Sequence, residues 1–234
     1  MKTICADWSP IGSGDGFRAI LSLRETVVLA DVAENAVRKD IEDKVLWPVR
    51  FEDKPRFRWV DVFLLAAVYR NHLLNRKMRK YALDRLENCV APTFRKTNSK
   101  CFAPMNRLMT IWERPSKFVI GCEVMELDSY VYLDFNRVRS DLTPRVDLYA
   151  RGLSRIDENE NIFGGDAVFK NTRLPVRHIG KLAISGEPIE SILEDYPYLD
   201  EDDVNFAAIY HSAHPPVGRP RSVRGDKVDK ISPG

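Results

Sequence analysis

Apolar positions recur every three to four residues through most of the first 90 residues, a spacing typical of helices. The clearest series is Val37, Ile41 and Val45, which predicts one face of a helix. This helix would end near Leu46, because the pair Trp47-Pro48 follows and a proline disfavours helical backbone at the residue before it. The same spacing predicts two further helices, over residues 60–72 and 76–88, and the intervening residues 51–59 predict a turn with a short extended piece.

The pattern changes after residue 104, where β-branched and aromatic residues gather in short runs. Three such runs, at residues 108–112, 118–122 and 130–133, predict a small antiparallel sheet. We therefore treat residues 105–150 as a β-rich middle segment.

Helical spacing returns near the C-terminus, where three short helices are predicted over residues 176–185, 188–196 and 201–213. Gly186 suits the end of the first helix and Pro188 the first position of the second. Asp200 can cap the third, with Asp203 adding negative charge near its positive end.

Composition narrows the class of protein. The chain has 234 residues, 44% hydrophobic and 30% charged, which excludes collagen-like, disulfide-scaffold and globally disordered proteins. The four cysteines form no CxxC pair, so neither a zinc knuckle nor a thioredoxin motif is present, and we expect no metal and no cofactor. No leader or bilayer-spanning apolar run is evident, so we expect a cytoplasmic protein without membrane contact.

Charge is distributed unevenly along the chain. Residues 70–100 hold nine basic and two acidic residues, whereas residues 187–203 hold eight acidic residues and no Lys or Arg. A basic helix beside a basic turn suits contacts with phosphate groups, although a solvated helix face would carry the same residues.

The N-terminal part resembles the winged helix-turn-helix domain of MerR-type proteins. Residues 37–46 are similar to the recognition helix, Arg56-Phe57-Arg58 to the wing, and residues 59–62 to the start of the next helix. The turn near Glu34-Asn35 is shorter than in the family and lacks its glycine. The resemblance implies, together with the basic run, DNA contacts by Arg38, Lys39, Lys44, Arg56, Arg58, Arg76, Lys77, Arg79 and Lys80. A plain helical domain with basic surface positions is the alternative.

A more specific motif, IFGGDAVFKNTRLPV, occupies residues 162–176. It is similar to the signature GG-x-(P/A)-V-(F/I)-(K/R)-G-T-R-(I/L)-P-V of the domain-of-unknown-function 433 family, and the resemblance extends over about residues 155–214. Asn171 stands where the family usually has Gly, and Asn tolerates a left-handed backbone. The motif residues are expected to be structural rather than catalytic: Gly164, Gly165, Thr172, Arg173 and Pro175.

This second resemblance implies a VapB-like antitoxin, a class often encoded beside PIN-like toxins. Its three helices look homeodomain-like, but the acidic opening of the last helix would repel a phosphate backbone, so we expect this module to dimerise or hold a protein. The basic tail could insert Arg219, Arg221 and Arg224 into a toxin's acidic active site, hook a DNA minor groove, or do neither.

The sequence thus predicts an α+β protein with five parts. These are a flexible arm (1–16), a helical winged helix-turn-helix DNA-binding domain (17–104), a small antiparallel β-rich segment (105–150), a three-helix homeodomain-like antitoxin module (151–214) and a disordered basic tail (215–234).

The leading hypothesis is a non-enzymatic, homodimeric antitoxin that binds a ribonuclease toxin and its own operator DNA. A stand-alone transcriptional regulator is the alternative. An enzyme with a site between the middle segment and the C-terminal module is the third and weakest hypothesis, because no catalytic constellation is apparent in the sequence.

Overall fold

The computed structural model describes residues 21–51, 53–95, 124–128, 131–158 and 166–215. These residues form an α+β fold that is mostly helical, with small antiparallel sheets. The strands are β1 (Leu21–Ser22), β2 (Val49–Phe51), β3 (Lys54–Phe57), β4 (Val124–Asp128), β5 (Val131–Asp134), β6 (Ile156–Asp157) and β7 (Val168–Phe169). The helices are α1 (Leu23–Ala30), α2 (Glu34–Glu42), α3 (Trp59–Tyr69), α4 (Arg76–Arg95), α5 (Phe135–Leu153), α6 (Val176–Ile184), α7 (Ile189–Asp195) and α8 (Glu201–Ala213).

The N-terminal sheet has the antiparallel order β1-β3-β2, with Leu21 opposite Phe57 and Val49 opposite Arg56. The predicted turn and extended piece over residues 51–59 is therefore confirmed as a hairpin. Helix α1 starts at a capping box, in which the Ser22 hydroxyl accepts from the Glu25 N–H and the Glu25 carboxylate accepts from the Ser22 N–H.

The turn between α1 and α2 spans residues 31–33, slightly earlier than predicted. Asp31 adopts a left-handed backbone with φ 53°, a conformation in which glycine is the usual residue, and its N–H bonds to the carbonyls of Val27 and Val28. Helix α2 ends at Glu42, four residues before the predicted end near Leu46.

Helix α3 is the central element of the N-terminal part. It is apolar on nearly every side, and nine of its eleven residues are buried. A helix that is hydrophobic all round must be surrounded by other elements, and α3 packs against α1, α4 and α5.

Residues 135–153 differ from the prediction. The β4–β5 hairpin agrees with the predicted strand at 130–133, but the chain then forms α5 instead of continuing the β-rich segment to residue 150. The Asp134 side chain caps this helix by accepting from the Arg137 N–H. Its buried residues are spaced as on one helix face, and they include Leu142, Val146, Tyr149 and Leu153.

The three C-terminal helices are confirmed within one residue of their predicted bounds. Gly186 has φ 90° after α6, and Asp200 forms a reciprocal capping box with Asp203 at the start of α8. Pro188 occupies the N-cap of α7 rather than the first helical position. Asn171 has φ 60°, the left-handed conformation that the Gly-to-Asn exchange anticipated.

One hydrophobic core connects the N-terminal and C-terminal parts. The Tyr149 ring on α5 packs between Trp59 of α3 and Phe206 of α8, with centroid distances of 6.3 and 5.6 Å. Its hydroxyl donates to the buried Glu25 carboxylate at 2.9 Å and lies 3.2 Å from Nε2 of His214. Three distant stretches of chain therefore meet at this tyrosine.

Several predictions fall outside the described residues. They concern the arm at 1–16, the strands at 108–112 and 118–122, the Gly164-Gly165 pair and the tail from residue 216 with Arg219, Arg221 and Arg224.

We expect Gly152→Ala to destabilise the protein by about 1–3 kcal/mol, because a Cβ at this position of α5 would collide with the Phe206 ring. Chemical denaturation measures the change in the free energy of unfolding. Ser140→Ala, on the exposed side of the same helix, is the control and should stay within about 0.5 kcal/mol of the wild type. Equal stabilities for the two variants would contradict a tight α5–α8 contact.

Candidate functional site

The predicted DNA-binding residues are carried by α2, the β2–β3 hairpin and the start of α4. Helix α2 turns Val37 and Asp40 into the protein, and Arg38 and Lys39 are exposed beside them. The hairpin follows α2 in the chain and holds Arg56 on β3, opposite Val49 of β2.

Four of the predicted cations are held by neighbouring carboxylates. Arg58 bonds to Asp61 through its guanidinium and its backbone N–H, which fixes the start of α3. The other three pairs are exposed on at least one side: Arg38 with Glu34 at 2.5 Å, Arg76 with Asp43 at 3.0 Å and Lys80 with Asp84 at 2.9 Å.

Arg79 has a structural position. Its guanidinium donates to both oxygens of Asp40, at 2.8 and 3.2 Å, and the Asp40 side chain is 2% exposed. The Tyr69 hydroxyl donates to the same carboxylate at 2.9 Å, and the guanidinium stands over the Tyr69 ring. Burial, and then the negative charge of Asp40, raise the pKa of Tyr69, while the hydrogen bond to Asp40 raises the pKa of Arg79. This cluster fastens α2 to α3 and α4.

The cations left for an external anion are fewer than the sequence suggested. Four of the predicted DNA-binding residues have no ion-pair partner within the part of the chain that the structure describes: Lys39, Lys44, Arg56 and Lys77. Lys54, which the sequence analysis did not single out, joins them at the start of β3. Lys44 is exposed in a left-handed turn with φ 57°, directly between α2 and the hairpin.

Two arginines that the sequence analysis missed pair with three of the four acidic residues at the start of α8. Arg151 on α5 pairs with Asp202 at 2.8 Å, and Arg155 pairs with Asp200 at 2.7 Å and with the buried Asp203 at 2.8 Å. These partners lie about 50 residues away in sequence, so only the fold brings them together.

The pKa values of the two capping-box aspartates, Asp200 and Asp203, shift in opposite directions. Burial raises the pKa of Asp203. Burial opposes ionisation of Asp200 as well, but the hydrogen bonds from Arg155 and from the Asp203 N–H outweigh it and lower the pKa of Asp200.

The C-terminal motif residues hold a turn together. The Thr172 hydroxyl donates to the Phe169 carbonyl at 2.8 Å and accepts from the Leu174 N–H at 3.1 Å. Pro175 forms the N-cap of α6, and Arg173 is exposed. Among the described residues, no group of three His, Cys, Asp or Glu side chains is arranged to hold a metal ion.

Comparison with known proteins shows which family the C-terminal part of the chain matches. Residues 156–211 match the family described as "Protein of unknown function (DUF433)", so this part of the chain is a DUF433 domain.

One curated relative, described as "Uncharacterized protein y4eO" from Sinorhizobium fredii (strain NBRC 101917 / NGR234), is 31% identical over 97 residues. The match covers 42% of this chain and 43% of the relative, so the chain spans under half the length of that protein. The crystal structure of Rv2018 from Mycobacterium tuberculosis aligns over 80% of this chain and 96% of its own, with 16% identity and a TM-score of 0.35.

In the part of the chain that the structure describes, no helix combines the length and apolarity of a bilayer span.

We expect Arg79→Ala to lower the free energy of unfolding by about 3–5 kcal/mol, because it leaves a buried carboxylate without its charged partner. Thermal or chemical denaturation checks this. Lys77→Ala, two residues away and exposed, is the matched control and should change stability by no more than about 0.5 kcal/mol. A stable Arg79→Ala variant would show that Asp40 is compensated by other groups.

Proposed function

We propose that the protein is a homodimeric antitoxin of a type II toxin-antitoxin system. It binds and neutralises a partner toxin, a PIN-like ribonuclease, and represses its own operon by binding operator DNA. The observation that carries the DNA-binding half is that α2 and the β2–β3 hairpin follow one another in the chain and carry cations without an ion-pair partner in the described part of the protein, namely Lys39, Lys44, Lys54 and Arg56.

The order of elements supports a winged helix-turn-helix interpretation. Strand β1, helices α1 and α2, and the β2–β3 hairpin follow one another along the chain, and the hairpin joins β1 in one sheet. In this arrangement α2 is the groove-reading helix, with Lys39 facing the bases or their phosphates. Arg56 and Lys54 on the hairpin reach the backbone beside it.

The C-terminal module supports a protein-binding role. The homeodomain-like helices α6, α7 and α8 carry exposed carboxylates. The two arginines nearest the start of α8, Arg151 and Arg155, already pair with its aspartates. A surface of this charge disfavours a second DNA contact. The toxin is therefore assigned to this module and to the basic tail, with Arg219, Arg221 and Arg224 directed at the carboxylates of a PIN-like site.

A stand-alone transcriptional regulator is the second candidate, favoured by the shared core. Because Tyr149 on α5 bonds to Glu25 of α1 and packs against Phe206 of α8, the DUF433 domain also serves as a structural support for the DNA-binding part. A regulator without a toxin would need that support too.

The DNA-binding proposal predicts the effect of replacing free cations. In the variant Lys39→Ala with Arg56→Ala, two phosphate contacts are lost, so the slope of log K against log salt should become less steep by about 1.8. Fluorescence anisotropy with a duplex of the upstream operator region, at several salt concentrations, measures it. Lys181→Ala on the distant helix α6 removes a comparable exposed charge and should leave the slope unchanged. An unchanged slope in the double variant would place the DNA surface elsewhere.

The antitoxin proposal predicts a genetic interaction with the neighbouring open reading frame. Expressed alone, the product of the neighbouring frame should arrest growth. Co-expression of this chain should rescue growth, and the two proteins should co-purify. Deletion of residues 216–234 should weaken the complex while retaining the thermal stability of the full chain, because Tyr149, Glu25 and His214 are kept. A harmless neighbour that does not co-purify would leave the stand-alone regulator as the better assignment.

A further inference from the structure

Trp47 is the most exposed aromatic side chain among the residues that the structure describes, with 70% of its surface accessible. It has no hydrogen bond or ring contact within that part of the chain. Val45, two residues earlier, is 4% exposed, so the chain passes from the core to the solvent between these positions. A tryptophan combines a large apolar ring with one N–H donor, which is why this residue type is enriched at binding surfaces.

The segment that carries Trp47 is fixed at both ends. The N–H of Val45 donates to the Asp40 carbonyl at 2.8 Å, which ties the segment to α2. Strand β2 begins at Val49, and Pro48 restricts the backbone of the residue before it to extended conformations. The indole is therefore presented from a constrained backbone, so little conformational entropy is lost when a partner covers it.

The indole lies in a basic stretch of the chain, since residues 44–58 hold five basic and two acidic residues. Lys44 lies three positions before the indole, in the left-handed turn with φ 57°. On β3, Phe57 is 1% exposed and faces the core, so the alternation of a strand places Lys54 and Arg56 on the opposite face. These three cations have no ion-pair partner in the described part of the protein, which favours an anionic partner.

Double-stranded DNA is the partner that fits this combination of groups. Its phosphates neutralise cations, and its sugars, base edges and thymine methyl groups offer apolar contacts to an aromatic ring. A protein partner would need carboxylates and an apolar pocket at the same place, whereas a DNA duplex carries both kinds of group along its whole length.

We propose that Trp47 is a non-electrostatic contact to duplex DNA, packed on the sugars and base edges beside the phosphates that Lys44, Lys54 and Arg56 bind. The proposal rests on the DNA-binding half of the proposed function and adds a residue that the basic run did not reveal. Salt weakens contacts between cations and phosphates, because binding releases counterions, whereas an apolar contact releases none. Loss of a cation therefore changes the salt slope, and loss of the indole changes the affinity at every salt concentration.

The first test repeats the fluorescence-anisotropy titration with the full chain and the duplex of the upstream operator region. Trp47→Ala should weaken binding by at least about fivefold at each salt concentration, because truncation of a tryptophan at the centre of an interface commonly has an effect of this size. The slope of log K against log salt should stay that of the wild type, in contrast to the variant Lys39→Ala with Arg56→Ala.

Two further variants serve as controls. Trp47→Phe keeps an aromatic ring and should recover most of the lost affinity. Tyr198→Ala removes another exposed aromatic side chain, 55% accessible but located in the DUF433 domain, and should bind as the wild type does.

The outcomes separate this proposal from the proposed function. Equal affinities for Trp47→Ala and the wild type, with both proteins folded by circular dichroism, would refute the indole contact and leave operator binding intact. A flattened slope for Trp47→Ala would also refute it, because the indole would then act through the cations. A wild type that does not bind the duplex would refute both the contact and the DNA-binding half of the proposed function.

The second test measures whether DNA covers the indole, by acrylamide quenching of tryptophan fluorescence. The chain has four tryptophans, so the signal of Trp47 is the difference between the wild type and Trp47→Phe. Saturating duplex should reduce the quenching of this difference signal, and unchanged quenching would contradict the contact. A Trp47→Ala variant that keeps operator affinity but loses the dimer or the toxin would assign the indole to a protein interface instead.

Discussion

The hydrogen bond from the Tyr149 hydroxyl to the Glu25 carboxylate is the contact on which the architecture depends. Glu25 is 2% exposed, and a buried carboxylate is tolerated only when donors surround it. The Ser22 N–H, the Tyr149 hydroxyl and the neighbouring His214 ring provide that environment. Because these groups belong to the first strand, the long helix α5 and the residue that caps the end of α8, satisfying one charge fixes the relative position of all three.

Local sequence was sufficient to predict the C-terminal helices, because their ends are determined by adjacent residues. Asp200 with Asp203, Gly186 and Asn171 each act through their own backbone or through a neighbour three residues away. Helix α5 shows the opposite case. Its buried positions follow a helical period that the sequence contains, but the sequence analysis grouped residues 135–150 with the preceding strands, and Pro144 lies within the helix. Here the tertiary demand for a helix over α3 and α8 outweighs the local breaker.

The candidate DNA-binding surface was predictable only as a region. A run of basic residues does not distinguish Arg79, which pairs with a carboxylate 39 positions earlier, from Lys77, which is exposed. That distinction depends on how α4 rotates against α2, which no local pattern encodes. The same holds for Arg151 and Arg155, whose aspartate partners follow about 50 residues later. The number of basic residues can be counted from the sequence, whereas the fold decides how many of them remain for an external partner.

Helix α5 ends three residues before the segment that defines the DUF433 family, yet Phe206 of that segment lies against Gly152 of the helix. The residues that match the family are therefore fewer than the residues that form the hydrophobic core around them, since that core includes α5. If recombination exchanged only residues 156–211, Phe206 of α8 would be placed against a different helix and would lose its contact with Gly152 of α5. Inheritance of the domain is thereby coupled to inheritance of a preceding helix such as α5, with a glycine where Phe206 packs against it.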